Sequence, residues 1–440
     1  MAPREVVYAE GNSLREKAHR LIPGGAHTYA KGDDQYPEQA PGFIVRGAGA
    51  HVWDVDGNEY IEYGMGLRAV TLGHAFEPVV KAVAAQLPFG SNFTRPAPIE
   101  VECAEELLDL LPGADMVKFC KDGSMAVDGA LKLARAHTGR DMVAICGDHP
   151  FFSTNDWFIG TTEMPRGVPE WVRRQTVKFR YNDLSSLEGL FEQYPDRIAC
   201  VLLEAARTEE PLPGFLESVK SCAHRHGAVF VLDEMITGFR WHLHGAQHVY
   251  GVRADLSTFG KALANGFSVS ALTGKRELMQ LGGEDHDRER VFLLSTTHGA
   301  ETHGLAAAIA TMRFYKKHPV IETLYERGAR LRRGLQRAIG GLKLERHFDL
   351  VGRDCNLAFG TRDADGKPSQ GFRTLFLQEI IKRGVIAPSF VVSYSHTEAD
   401  IDRTVEIVSE ALAIYRKALE DGIEKYLKGR SVNPVFRRFA

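Results

Sequence analysis

The sequence predicts an α/β protein built on a parallel sheet, followed by a second, smaller α+β unit. Three observations carry that expectation. From about Val101 to Phe314, short apolar runs alternate with amphipathic helical patterns. Three of the runs, "MVAIC" (142–146), "IACVLLEAA" (198–206) and "AVFVLDE" (228–234), are almost continuously apolar, as strands covered on both faces must be. Near residue 315 the texture changes to charged helices, a few short strands and a long final helical pattern.

Taken in order, "WDVDGNEY" places Asp54 and Asp56 in a strand turn at Asp-Gly rather than in a calcium loop. "SMAVDGALKLARAHTG" (124–139) follows a Lys-Asp-Gly turn and reads as a helix. "FLESVKSCAHRHG" (215–227) reads as a helix stopped by Gly227, with His224 and His226 expected to satisfy its last carbonyls. "GGEDHDRER" (282–290) is a polar loop whose length suits mobility or an intersubunit role. "HPVIETLYERGARLRRGLQRAI", its charges on a solvated face, and "TEADIDRTVEIVSEALAIYRKALED" supply the helices of the second unit. The expected division is an N-terminal segment 1–60 contributing to the small domain, a large domain 61–315 and a small domain 316–440.

At 440 residues the chain exceeds one simple core. A formal net charge of -3 argues against nucleic acid or an anionic membrane as partner. Six scattered cysteines without a CxxC pair read as reduced thiols. The start lacks an apolar leader core and no run is long enough to span a bilayer, so a soluble cytoplasmic protein is expected. His242, His244 and His248, and His298 with His303, lack zinc-ligand spacing, and no metal is expected.

The chemistry lies at strand ends. Asp233 closes the buried run "VFVLD", where open α/β sheets place ligand groups and where a carboxylate requires a cationic counterpart. Lys261 stands alone in the small, apolar segment "DLSTFGKALANGFSVSALTG" after another strand-like approach. Gly123 and Ser124 open a helix, whose N–H groups and dipole can cradle a phosphate. An acid at a strand end, an imine-forming lysine and a phosphate cradle together fit pyridoxal phosphate (PLP).

The stretches "VLDEMITGFR", "DLSTFGKALANGFSVSALTGKRELM", "GAHVWDVDGNEYIEY", "LGHAFEPVVKAV" and "KDGSMAVDGALKLARAHTGRD" resemble the fold-type I, class III aminotransferases, within them the branch around glutamate-1-semialdehyde 2,1-aminomutase. The resemblance runs from about Leu14 to Tyr415. It implies a large, mixed but mostly parallel seven-stranded sheet domain beside a smaller α+β domain. It also implies a homodimer with active sites at the subunit interface. Carried over by position, Lys261 resembles the cofactor-binding lysine and Asp233 the partner of the pyridine nitrogen. Gly123, Ser124 and Met125 stand where the family's turn binds phosphate. Thr297 matches the threonine that reaches the neighbouring subunit's cofactor, and Glu204 the acid near ring oxygen and substrate. Where the family has Tyr-His-Gly this chain has "GDHPFFSTNDW", so Phe151 or Phe152 is the expected ring-stacking aromatic.

Lys31, in "IPGGAHTYAKG", falls where the aminomutases carry a substrate-binding arginine, and the family's Gly-Asn-Pro is replaced by "HGAETH". A lysine is a point charge and not a bidentate fork, which weakens carboxylate recognition. "GGAHTYAKG" with "HGAETHGLAAA" is similar to class III enzymes that aminate sugars, including the 6'-aminotransferases of aminoglycoside antibiotic pathways. That similarity implies transfer from an amino acid donor to an oxidised sugar or aminocyclitol carbonyl. Glu301, His298 and loop 282–290 are then candidate acceptor contacts. The alternatives are a glutamate-1-semialdehyde aminomutase, a PLP-dependent epimerase, or a catalytically silent scaffold. The intact Asp233 and Lys261 argue against the last.

Overall fold

A computed structural model describes residues 8–439, and residues 1–7 of the N-terminal segment assigned to the small domain lie outside that range. The described residues form two compact units, one up to Phe76 and again from Glu322 onwards, the other Glu77–Ile321. The division thus falls after 76 and 321, where the sequence suggested 60 and 315.

The first unit begins with the helix Ala9–Leu21, followed by β1 (Ile44–Ala48), β2 (His51–Asp54) and β3 (Glu59–Glu62). The β2–β3 connection is the expected Asp-Gly turn: Gly57 sits at φ 85. Asp54 Oδ1 accepts the N–H groups of Asp56 at 3.0 Å and Asn58 at 2.8 Å.

The second unit holds a seven-stranded sheet made of β4 (Met116–Cys120), β5 (Met142–Cys146), β6 (Thr176–Phe179), β7 (Ile198–Glu204), β8 (Val229–Asp233), β9 (Leu256–Phe259) and β10 (Ser270–Gly274). Their order is β4-β10-β9-β8-β7-β5-β6, with only β10 antiparallel to its neighbours. Every residue of β5, β7 and β8 is buried, which explains their unbroken apolar runs. The helix Gly123–Thr138 is capped by Asp122 and ends at Gly139 in the left-handed region at φ 69. It packs on β7, β9 and β10 through a face rich in Ala and Gly. A Cβ at Gly129 would lie 3.1 Å from Leu272, so the small residue lets helix and sheet approach closely.

The helix Phe215–Arg225 ends as expected before Gly227, but the two histidines do not cap it. His224 Nε2 pairs with Asp255 at 2.7 Å, and the His226 ring stacks on Phe191 at 4.3 Å. One imidazole is thus turned to a carboxylate and the other to an aromatic face instead of to the helix carbonyls.

The first unit closes with the helix Val320–Gly341, which begins two residues before the division, then β11 (Phe348–Val351), β12 (Ala358–Thr361), β13 (Val385–Ile386) and the helix Glu398–Asp421. β13 adds in parallel to β3, completing a four-stranded sheet, and Thr397 caps the last helix. The charged helix is only partly a solvated face: Leu324, Leu331 and Leu335 are buried, and Arg330 pairs with Glu398 and Asp402. All six cysteines are free and buried. Among the described residues no helix is long and apolar enough to cross a membrane.

Candidate active site

The parallel strands of the large sheet end along one edge, and the polar residues at those ends make the site. Asp233 closes β8 and Glu204 closes β7, in direct register with each other. Lys261 follows β9 after a single glycine, and Lys121, Asp122 and Gly123 follow β4. A topology that the sequence could not order therefore collects Asp233, Glu204, Lys261 and Gly123 at one sheet edge.

Asp233 is 4% exposed. Its Oδ1 accepts the Met235 N–H at 2.8 Å and the Thr258 hydroxyl at 3.2 Å, while Oδ2 accepts no hydrogen bond from the described residues. Burial pushes this carboxyl above the usual range, and the nearby Lys261 ammonium is the largest influence pulling it back. Lys261 is half-buried and adopts φ 46, a left-handed conformation that costs an L side chain ~1–2 kcal/mol. Gly260 makes that turn possible: a Cβ there would lie 2.5 Å from Ser270 Oγ and 2.7 Å from Met235 Sδ. A Cβ on Gly123 would meet the same sulfur at 2.9 Å. The lysine turn and the helix start thus share Met235 as a neighbour.

At the helix start Asp122 Oδ1 accepts the Met125 N–H at 2.9 Å, so that donor is already capped. The N–H groups of Gly123 and Ser124 remain as the first donors of the helix. The Ser124 hydroxyl accepts the Thr154 N–H at 3.0 Å. The loop carrying Thr154 is clamped by the half-buried Asp128, which accepts from Ser153 at 3.0 Å, from Trp157 Nε1 at 2.6 Å and from the Asn155 amide.

The paired phenylalanines of that loop divide. Phe152 is 2% exposed and packs on Phe158 and His149, as core. Phe151 is 45% exposed and touches Phe158 edge-on, leaving a ring face open. Sequence reasoning passed over His149, three positions beyond β5 and 5% exposed. Its Nδ1 accepts the Glu204 N–H at 3.0 Å, and Tyr181 lies 5.0 Å from it ring to ring. Burial, then the charge of Arg207, push its pKa down to about 4. The available signal was positional: a histidine in the turn that follows a buried strand, near the level at which Asp233 and Glu204 close theirs.

Thr297 is exposed on a loop, its carbonyl accepting from the Asn92 amide at 3.0 Å. Glu301 and His298, expected as acceptor contacts, are engaged with each other at 2.8 Å, and Glu301 also pairs with Lys121. Lys121 and His298 hold the Glu301 carboxyl below the usual range. Lys31 belongs to the other unit, where it lines a cavity of about 490 Å³ together with Asp33, Tyr36, Glu62 and His74. Among the described residues no group of His, Cys, Asp or Glu is arranged to hold a metal ion.

The family model described as aminotransferase class-III matches residues 33–341. The chain belongs to the class-III aminotransferases. It is similar to a glutamate-1-semialdehyde 2,1-aminomutase of Desulforudis audaxviator, 34% identical over 424 residues covering 90% of this chain and 95% of that one. It is also similar to a 3-aminobutyryl-CoA aminotransferase of Cloacimonas acidaminovorans, 30% identical over 421 residues, with 93% and 98% covered. Among solved structures, the FumI protein of Sphingopyxis sp. MTA144 with PLP superposes with a TM-score of 0.85 at 28% identity, covering 93% of this chain and 97% of that one. An omega-transaminase from Sphaerobacter thermophilus gives 0.83 at 26% identity, with 94% and 99% covered.

This class-III aminotransferase is a fold-type I, PLP-dependent enzyme. The residues present fit that cofactor. A buried carboxylate keeps one oxygen unused, a half-buried amine stands nearby, and the helix start offers two N–H donors beside glycines that leave no room for a Cβ.

Proposed function

We propose that this enzyme transfers an amino group from an amino acid donor to an oxidised sugar or aminocyclitol carbonyl, in the biosynthesis of aminoglycoside-type compounds. The observation that carries the reading is the Lys31 cavity. A lysine with no ion pair among the described residues shares a largely apolar lining with Arg15, Asp33, Glu62, His19, His74 and Tyr36. Burial, with the Glu62 charge, raises the Tyr36 phenol to about 12, so it remains a hydrogen-bond donor at neutral pH. Those groups suit a hydroxyl-rich, amine-bearing molecule, because the one guanidinium of the lining, Arg15, is already turned to the Glu38 and Ala40 carbonyls and to Asp33.

In this reading the Asp233 carboxylate accepts a hydrogen bond from the pyridine N–H and keeps that nitrogen protonated, and Gly123 and Ser124 bind the phosphate. Phe151 covers a ring face. Thr297 serves the partner subunit of a homodimer, consistent with its exposure. When bound, pyridoxal phosphate supplies an electron sink beside the substrate's amine-bearing carbon. Lys261, held next to Asp233 by the tight β9 turn, takes the proton from that carbon and returns it. Glu204 fixes the substrate side of the site, and Phe152 and His149 exclude water behind it.

Single-turnover mixing of the amine-loaded enzyme with a 6'-oxo aminoglycoside, and separately with glutamate semialdehyde, tests this. Faster consumption of the sugar is expected, and failure to aminate it overturns the proposal. Similarity to an aminomutase at 34% identity favours a second reading, rearrangement on one substrate. Incubation in deuterated water without an added donor separates them. A rearranged or inverted deuterated product with no net amine transfer supports the aminomutase or epimerase.

A further inference from the structure

A second cavity, of about 350 Å³, lies wholly within the large unit. Its floor is one face of β9 and β10, where Ser257 and Thr273 pair across the ladder. Side chains alternate along a strand, so Thr258, which bonds Asp233, points to the opposite face. The sheet therefore separates this cavity from the Asp233 carboxylate.

Its rim is formed by the segment after β8 and the loop before β4. His244, His248 and Arg253 line it, and no Asp or Glu does. Arg253 is exposed and makes no hydrogen bond or ion pair among the described residues. Its stem lies across Gly113, at φ 96, where a Cβ would stand 3.1 Å from Arg253 Cδ. The loop thus accommodates the arginine only with glycine there. His244 donates Nδ1–H to the Leu110 carbonyl at 2.6 Å. His248 is held by its ring stacked on His242 at 4.0 Å and 13°. On the floor Ser257, 5% exposed, accepts from Gln247 at 3.0 Å and keeps its own proton for a ligand.

Three clustered imidazoles suggest a metal, but stacked rings set their nitrogens side by side rather than converging on a point. The neighbouring carboxylates are all engaged. Asp109, which faces His244, pairs with Lys316 at 2.9 Å. Asp115 caps the Arg276 N–H at 2.9 Å, and Asp255 pairs with Lys275 at 2.6 Å.

We infer that this cavity binds a small polyvalent anion, its phosphate or carboxylate oxygens taken by Arg253, the imidazoles and the Ser257 hydroxyl. The inference stands apart from the choice of acceptor. Calorimetric titration of the cofactor-loaded enzyme, whose own phosphate cradle is filled, tests it with pyrophosphate, inorganic phosphate and malonate at constant ionic strength. One saturable site per chain is expected. Arg253→Gln should weaken binding about tenfold or more while leaving the anion-free transamination rate unchanged, and His248→Gln should weaken it less. Preference for pyrophosphate and phosphate over malonate assigns a phosphorylated ligand; the reverse assigns a carboxylate. No saturable binding of any of the three, or equal affinity in wild type and Arg253→Gln, overturns the inference.

Discussion

Replacing His149 with glutamine should flatten the acid limb of the enzyme's stability curve. In the folded protein His149 is 5% exposed and neutral, its Nδ1 accepting the Glu204 N–H at 3.0 Å. Burial and Arg207 bring its pKa down from 6.5 to about 4. In the unfolded chain it titrates near the ordinary value of ~6.5. The unfolded state therefore gains a proton first as pH falls, so the stability is complete above ~6.5 and is lost between there and about 4. At ~1.36 kcal/mol per pH unit the whole loss is ~3 kcal/mol, of which ~2 kcal/mol is gone by pH ~5. Glutamine does not titrate, yet its amide oxygen can still accept the Glu204 N–H. Urea midpoints of both cofactor-loaded proteins at pH 7.5, 6 and 5 measure the difference. His396, pushed down to about 3 by burial, titrates alike in both and cancels. Wild-type and variant stabilities that fall in parallel from pH 7.5 to 5 would refute the buried, neutral histidine.

Three further outcomes follow from the same edge of the sheet. Asp233→Asn keeps an acceptor for the Met235 N–H but loses the charge, so steady-state turnover should fall ~10²-fold or more while absorbance shows the cofactor still bound. Gly260→Ala drives a Cβ to 2.5 Å from Ser270 Oγ, so denaturation should show ~1–3 kcal/mol lost along with activity. Ser270→Ala added to it should restore part of both, and no recovery would place the strain elsewhere. Phe152→Ala should cost ~3–5 kcal/mol in chemical denaturation as a core deletion. Phe151→Ala should cost less than ~1 kcal/mol yet weaken cofactor retention on dialysis.

Strands β5, β7 and β8 were legible because burial on both faces leaves unbroken apolar runs. β4, "MVKFC", and β10, "SALTG", were not: an edge strand carries Lys118, and a buried strand of small and hydroxyl residues has no hydrophobic signature. The placement of Asp233 and Lys261 at strand ends was legible because a polar group there stands out against the run before it, whereas Glu204 was singled out only by the family resemblance. His149 was hidden because its relation to Glu204 depends on β5 lying beside β7, a fact of sheet order and not of local pattern. Nor can "FF" disclose which ring is core. Glu301 illustrates the opposite failure, since an acid that looks available in a loop is already claimed by Lys121 and His298.

The proposed chemistry requires Lys261 to hold the cofactor with Asp233 opposite. Borohydride reduction of the purified yellow enzyme, followed by peptide mapping, tests this most directly. A single pyridoxyl label on Lys261, absent in Lys261→Ala, is the expected result. A label on any other lysine, or none, would contradict it.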